Sequence, residues 1–312
     1  LATGIAYLST IIAGTSAFFI GKFLLPILIN NSQELNQIDK AVKPLFEINI
    51  PPFMKIMTAL VTAFMIGLGM ANAKEDYLYN VIKDFQEIIQ MVIKTAIIPL
   101  LPVHIAGIIA NMSYVGKVAS TMVGFGKVFI LILGLQITYV MIQYLVACQI
   151  GGRNPIKAIK NMLPAYFTAI GTQSSAATIP VTVQSVLKND VKEDIADFVV
   201  PLGATIHLAG DTITLTLASM AVMILHGQAV TFSAMFPFIL MLGITMVAAP
   251  GIPGGGVMAS LGLLEGMLGF GATQKSLMIA LHLAQDSFGT ASNIMGDGAI
   301  SIIMDSLSDQ TE

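Results

Sequence analysis

The stretch LHLAQDSFGTASNIMGDGAISIIM, residues 281–304, carries two aspartates inside a run that is long enough to cross a bilayer. Ionisable groups at membrane depth usually face a polar cavity and mark a path for a substrate or an ion. Asp286, Thr290, Asn293 and Asp297 follow at helical spacing, so they share one face of a helix. The stretch therefore predicts an inward-facing polar seam. The alternative is a structural pair of buried acids satisfied by neighbouring helices.

The composition is that of a helical membrane protein. Of 312 residues, 55% are hydrophobic and 11% are charged, whereas a soluble domain carries about 25% charged residues. The apolar runs are continuous rather than alternating, which favours helices over a β-barrel. The net charge of −3 gives no basis for nucleic-acid binding. We therefore expect an all-α polytopic membrane protein that contacts lipid and does not bind nucleic acid.

A segment at residues 162–187 is uncharged but interrupted by GTQSSAATIP. Lysines and arginine flank it on both sides, in the clusters at 153–160 and 188–192. Such clusters mark the cytoplasmic side of a membrane, so the segment has to enter and return on the same side. This pattern predicts a re-entrant helical hairpin with its tip at residues 173–175. The alternative is an ordinary transmembrane helix that carries serines.

Two further interruptions follow along the chain. GATIHLAGDT, at 203–212, places glycines and polar residues in an apolar run, which predicts an unwound stretch lining a cavity. PGIPGGG, at 250–256, cannot lie in one straight helix, so residues 232–270 predict a second hairpin. The order of hairpin, broken helix, hairpin and polar helix is a repeated pair of units. This layout, with a site at the bilayer midplane, is typical of secondary transporters.

Four ordered motifs are similar to those of a known family: SSAATIPVT at 174–182, PLGATI at 201–206, GIPGGG at 251–256 and NIMGD at 293–297. They resemble the dicarboxylate/amino acid:cation symporters, the sodium-coupled transporters of glutamate, aspartate and neutral amino acids. The resemblance implies a glutamate-transporter-like fold, a homotrimer and eight membrane helices, of which this chain lacks the first two. It also implies a scaffold and trimerisation part at 1–150 and a transport core at 151–312.

The resemblance assigns roles to individual residues. Asp286 corresponds to the residue that holds the substrate ammonium, and Asn293 to the one that holds its carboxylate. The full set of implied substrate contacts is Ser174, Ser175, Asp211, Gly251, Ile252, Pro253, Gly254, Asp286, Thr290 and Asn293. The implied sodium ligands are Gly203, Thr205, His207, Asp211, Asn293 and Asp297.

The chain departs from the family pattern at the broken helix. Where the family reads N-M-D-G-T, this chain reads H-L-A-G-D at 207–211, so a sodium-binding aspartate is replaced by Ala209. Asp211 either binds a cation in place of that lost acid or lines the substrate pocket, and it also lies one turn from His207. These changes alter the expected number of coupled sodium ions.

Two departures concern the substrate. His282 replaces an acid of the family's acidic-substrate members, and helix packing is its favoured role; Gly289 replaces the arginine that grips a side-chain carboxylate. The only arginine of the chain is Arg153, and no lysine or arginine occurs at 196–274 or 276–312. A dicarboxylate would therefore bring an unpaired charge into the site, which costs several kcal/mol. An amino acid with a neutral side chain fits better.

We thus expect a secondary active symporter of a bacterial inner membrane that couples sodium entry to uptake of a small neutral amino acid by an elevator-like movement. Sodium is the expected coupling ion, and no organic cofactor is expected. The alternatives are a dicarboxylate or proton-coupled symporter, or a transport-inactive receptor. An enzyme with paired acids is disfavoured, because Asp286 and Asp297 lie about 16 Å apart along one helix.

Overall fold

The structure, a computed structural model, describes residues 1–29, 56–71, 77–92, 118–247 and 254–308, with isolated positions between these ranges. The described part contains helices and no strand, so the all-α prediction is confirmed. In chain order the helices are α1 (Ala2–Leu28), α2 (Ile56–Ala71), α3 (Tyr77–Val92), α4 (Val118–Gly151), α5 (Pro155–Thr172), α6 (Ser175–Leu187), α7 (Glu193–Ile206), α8 (Ala209–Leu225), α9 (Phe232–Met246), α10 (Gly255–Leu268) and α11 (Ala272–Ser308).

The chain divides into two compact units. The larger comprises Leu1–Asn36 and Ser120–Glu312, and the smaller comprises Gln37–Ala119, which includes α2 and α3. Within the larger unit, residues of α4, α5, α6, α7 and α11 share one apolar core. These two units are defined by which residues pack together. The predicted scaffold at 1–150 and transport core at 151–312 are defined by which parts move during transport, so that division remains a prediction.

Several helices are apolar and long enough to span a membrane. Among the described residues these are Ala2–Leu28, Gly124–Gly151 and the run Glu193–Leu225, which continues through the break between α7 and α8. Shorter apolar helices include α6, α9 and α10. Their lengths suit half-spans rather than full crossings, since a full span needs about 20 residues.

The first interrupted segment folds as two helices joined by a sharp turn. Asn154 caps α5 by accepting hydrogen bonds from the backbone N–H groups of Ile156 and Lys157, at 3.0 and 3.1 Å. Helix α5 ends at Thr172 and is followed by Gln173, whose φ of 51° is left-handed. Ser174 then caps α6 by accepting from the N–H of Ala177 at 3.3 Å. A helix–turn–helix with its turn at 173–174 agrees with the predicted tip, while its entry and return on one membrane side stay a prediction.

The other two interruptions also break helices. Helix α7 ends at Ile206, and α8 begins at Ala209, with His207 and Leu208 in non-helical backbone between them. Helices α9 and α10 pack against each other, and α10 begins after Gly254, whose φ of 76° suits glycine. Residues 250–253 of the intervening tip lie outside the described part of the chain.

Helix α11 lies at the centre of the larger unit. It packs against α1, α5, α6, α7, α8 and α10. It approaches α8 closely, since a Cβ atom on Gly210 would lie 2.7 Å from the Cβ of Ser292 and would overlap the carbonyl oxygen of Gly289. Glycine at position 210 therefore allows the start of α8 to lie directly against the polar face of α11.

Candidate functional site

The polar seam of α11 faces the protein interior. Asp286 and Thr290 are each 5% exposed, and Asn293 and Asp297 are fully buried. His282, one turn before Asp286, is fully buried as well. Buried charged groups need partners, and the partners come mainly from the break between α7 and α8.

Asn293 joins α11 to the start of α8. Its Oδ1 atom accepts a hydrogen bond from the N–H of Gly210 at 2.8 Å, and its Nδ2 atom donates to Oδ2 of Asp211 at 2.9 Å. The N–H of Gly210 is one of the free donors at a helix start, so the amide satisfies the helix terminus and orients an acid at the same time. Asn293 thus holds Asp211 on the same side of the seam as Asp286.

Asp211, His282 and Asp286 form a compact group, called here the acid–histidine cluster. Nε2 of His282 lies 3.5 Å from Oδ1 of Asp211, and Nδ1 of His282 lies 4.0 Å from Oδ1 of Asp286. The cluster is adjacent to Gly289, where a Cβ atom would lie 2.6 Å from Oδ1 of Asp211. The carboxylate of Asp211 therefore occupies the space into which a side chain at position 289 would extend.

His207 makes a separate pair with Asp297. Its Nδ1 atom lies 3.1 Å from Oδ1 of Asp297, and both side chains are fully buried. The other ring nitrogen lies 3.0 Å from Oγ of Ser9 on α1 and 3.4 Å from Nε2 of Gln143 on α4. The i,i+4 pair of His207 with Asp211 does not form, because the break at residues 207–208 directs His207 toward Asp297 and Asp211 toward Asn293 and His282.

Two predicted sodium ligands differ in their placement. A Cβ atom on Gly203 would lie 2.6 Å from Oδ1 of Asp297, so the backbone of α7 closely approaches this carboxylate. Thr205 is exposed, and its hydroxyl donates to the carbonyl of Leu202 at 2.8 Å. The structure brings Gly203 and His207 to Asp297, and the backbone carbonyl of Asn293 lies 3.3 Å from Nδ1 of the same histidine. The Thr205 hydroxyl bonds within α7, and Asp211 belongs to the acid–histidine cluster.

The tips of both interrupted segments reach the same region of α11. At the first, Gln173 donates through Nε2 to the hydroxyl of Ser287 at 2.7 Å. Ser175 is 8% exposed, and Ser174 serves as the cap of α6. At the second, the N–H of Gly254 donates to Oδ2 of Asp286 at 2.6 Å. The remaining predicted residues of the second tip, Gly251, Ile252 and Pro253, lie outside the described residues.

Sequence reasoning missed the contributions of α1 and α4. Gln136 is 1% exposed and donates to the carbonyl of Gly210 at 3.1 Å and to the hydroxyl of Thr214 at 2.9 Å. Gln143, seven residues later, donates to the hydroxyl of Ser9 at 2.9 Å. A signal was present, because two amides two turns apart in an uncharged apolar span mark an inward-facing polar stripe.

Comparison with known proteins identifies the family. Residues 1–307 match the profile of the sodium:dicarboxylate symporter family, so the chain belongs to it. The chain is 28% identical over 290 residues to excitatory amino acid transporter 1 of Ambystoma tigrinum, covering 88% of this chain and 52% of that protein. It is 26% identical over 264 residues to neutral amino acid transporter B(0) of Rattus norvegicus, covering 83% and 47%.

A third relative is excitatory amino acid transporter 5 of Mus musculus, 30% identical over 189 residues, which cover 60% of this chain and 34% of that protein. The chain thus spans about half the length, or less, of these curated relatives. The family and the apolar helices identify an integral membrane protein. The predicted family is confirmed, and the relatives are transporters rather than enzymes.

Proposed function

We propose that the protein is a secondary active symporter that couples sodium entry to the uptake of a small amino acid with a neutral side chain. The observation that carries this proposal is the buried carboxylate of Asp286, which accepts from the N–H of Gly254 at the tip before α10. Among the residues that the structure describes, no lysine or arginine forms an ion pair with it. An amino acid would place its ammonium on Asp286 and its carboxylate near Asn293 and the N–H groups of the helix starts.

Asp297 supports the cation half of the proposal. Its Oδ2 atom is buried without a hydrogen-bond partner among the described residues, although Oδ1 contacts His207. A buried unpaired carboxylate oxygen is costly, and a sodium ion would satisfy it together with backbone carbonyls near Gly203 and Asn293. Because the imidazole of His207 already contacts Oδ1 of Asp297, and Ala209 stands where the family has a sodium-binding aspartate, we propose fewer coupled sodium ions than the family pattern implies.

The proposed movement is elevator-like. Residues 151–312 would move as a transport core past a scaffold formed by residues 1–150, within a homotrimer in a bacterial inner membrane. Helices α5, α6, α7, α8 and α10 pack around α11, which supports their moving together, and α1 of the proposed scaffold packs against α8 and α11 as well. The printed names of the relatives include transporters of both excitatory and neutral amino acids, so family membership alone leaves the substrate class open.

Replacing the ammonium partner should weaken substrate binding. Asp286→Asn removes the charge from a contact worth roughly 1.5–3 kcal/mol, which corresponds to about 10- to 100-fold in affinity. Binding of radiolabelled amino acids to purified protein measures this change. Asp194→Asn, an exposed acid in the first turn of α7, is the control and should bind like the parent protein. Parental affinity in Asp286→Asn would refute the assignment.

The neutral-substrate proposal predicts how acidic substrates can be admitted. Gly289→Arg alone should fail, because its Cβ atom would lie 2.6 Å from Oδ1 of Asp211, and the new guanidinium would pair with that carboxylate. The double variant Gly289→Arg with Asp211→Thr frees the guanidinium for the substrate, so aspartate should compete about 10- to 100-fold better than in the parent. Competition assays with aspartate and alanine measure this. Strong aspartate competition in the parent protein would contradict the proposal.

A further inference from the structure

The acid–histidine cluster contains more ligand chemistry than an amino-acid ammonium requires. One potential metal-binding atom from each of Asp211, His282 and Asp286 lies within 4.8 Å of the other two. The three residues are 5%, 0% and 5% exposed. We propose that this cluster binds a divalent transition-metal ion, for which Zn²⁺ is the best match, and that the bound metal excludes the amino acid.

Each carboxylate of the cluster uses one oxygen for structure and presents the other. Oδ2 of Asp211 accepts from Asn293, and Oδ2 of Asp286 accepts from the N–H of Gly254. Oδ1 of Asp211 is buried and makes no hydrogen bond within the described part of the chain. Hydrogen bonds that orient a ligand from behind are the usual outer layer of a metal site. The two acids are thus held with their second oxygens directed toward His282.

The imidazole of His282 is the least satisfied group of the cluster. Its ring nitrogens lie 3.5 Å from Asp211 and 4.0 Å from Asp286, which are longer than good hydrogen bonds. Neither nitrogen makes a hydrogen bond to the residues that the structure describes. A fully buried polar ring without a hydrogen bond is rare in native proteins. A metal ion bound through one nitrogen would satisfy it.

The donor set distinguishes zinc from the coupling ion. Imidazole nitrogen and carboxylate oxygen together suit Zn²⁺, whereas hard cations favour sites made only of oxygen. Zinc–ligand bonds of about 2.0–2.2 Å put tetrahedral ligand atoms about 3.4 Å apart. The separation of 3.5 Å between His282 and Asp211 already matches this spacing. The ligand atom of Asp286 lies within 4.8 Å of the other two, so Asp286 has to approach by up to about 1.4 Å to reach this spacing.

The charge of the acid–histidine cluster also favours a divalent cation. Two ionised acids balance one divalent cation, and the nearest lysine in sequence, Lys275, already pairs with Glu265 at 2.5 Å. A bound metal occupies the Asp286 carboxylate that the proposed substrate ammonium needs. Metal binding stands without the proposed transport function, and only the competition with the amino acid rests on it.

Zinc titration of the purified, metal-stripped protein against a fluorescent zinc chelator tests the site directly. The parent protein should bind one Zn²⁺ tightly. Because even outer-layer partners are worth 10- to 100-fold, loss of a direct ligand in His282→Gln or Asp211→Asn should weaken binding by about 100-fold or more. The control is His226→Gln, which alters a histidine at the end of α8 that bonds to the carbonyl of Val222.

His282→Cys guards against a variant that only misfolds. A cysteine thiolate is also a zinc ligand, so this variant should retain tight zinc binding, whereas a purely structural role for His282 predicts equal loss in both the Gln and Cys variants. Size-exclusion profiles establish that each variant is folded. Absence of tight zinc binding in the parent protein, or parental binding in folded His282→Gln, would overturn the proposal.

Amino-acid uptake supplies the second measurement. Zn²⁺ should inhibit uptake, and the half-inhibitory zinc concentration should rise with amino-acid concentration because both ligands need Asp286. Inhibition that is independent of the amino acid would overturn the competition. If the protein shows no uptake at all, the proposed function fails, while the zinc titration still decides the metal site.

Discussion

Arg153→Ala should lower the free energy of unfolding by about 3–5 kcal/mol, the cost of leaving a buried charge without its partner. The guanidinium of Arg153 forms an ion pair with Asp305, whose side chain is 4% exposed, and donates to the carbonyl of Asp190 at 2.8 Å. The other oxygen of Asp305 accepts from the N–H of Lys192 at 2.9 Å. One arginine thus joins the turn before α5, the connection between α6 and α7, and the last turn of α11.

Thermal unfolding in detergent measures this loss as a fall in the midpoint temperature. Circular dichroism follows the transition, because the chain has no tryptophan for fluorescence. Lys157→Ala is the matched control. Its ion pair with Asp190 is 4.0 Å long, and the two side chains are 69% and 79% exposed, so it should change stability very little. Equal midpoints for Arg153→Ala and Lys157→Ala would show that the buried pair does not stabilise the fold.

Asp297→Asn should shift the sodium dependence of amino-acid binding by about 100-fold or more. The side chain is fully buried beside His207, and loss of one buried charged partner costs about 3–5 kcal/mol, where 1.4 kcal/mol is tenfold. Asparagine keeps the shape and can still accept a hydrogen bond from His207. Amino-acid affinity at saturating sodium should therefore change far less than the sodium concentration needed for half-maximal binding.

The variant Asp286→Asn is the comparison that distinguishes loss of a sodium ligand from general damage to α11. Asp286→Asn should change amino-acid affinity at every sodium concentration, whereas Asp297→Asn should change mainly the sodium titration. The two residues lie on one helix, so general damage to α11 would affect both measurements in both variants. An unchanged sodium titration in Asp297→Asn would contradict its assignment as a cation ligand.

The helix breaks could be predicted from the sequence because local chemistry causes them. Ser174 and its small neighbours mark a helix start, and glycines at 203 and 210 mark an interrupted helix. The inward face of α11 also follows from spacing alone, since Asp286, Asn293 and Asp297 repeat with the helical period.

The partners across helices could not be predicted in the same way. The two-residue break after α7 decides that His207 meets Asp297 and that Asp211 meets Asn293 and His282. That geometry depends on the tertiary approach of α8 to α11 rather than on sequence spacing. Sequence spacing favours helix packing as the role of His282, whereas the structure places its ring between Asp211 and Asp286.

Sodium-driven uptake in proteoliposomes tests the central claim most directly. Purified protein is reconstituted, and accumulation of radiolabelled alanine, serine and aspartate is followed with an inward sodium gradient, with an inward proton gradient, and with neither. The account predicts that a neutral amino acid accumulates only when sodium is higher outside, and that aspartate does not. Accumulation that follows the proton gradient alone, or that favours aspartate, would contradict it.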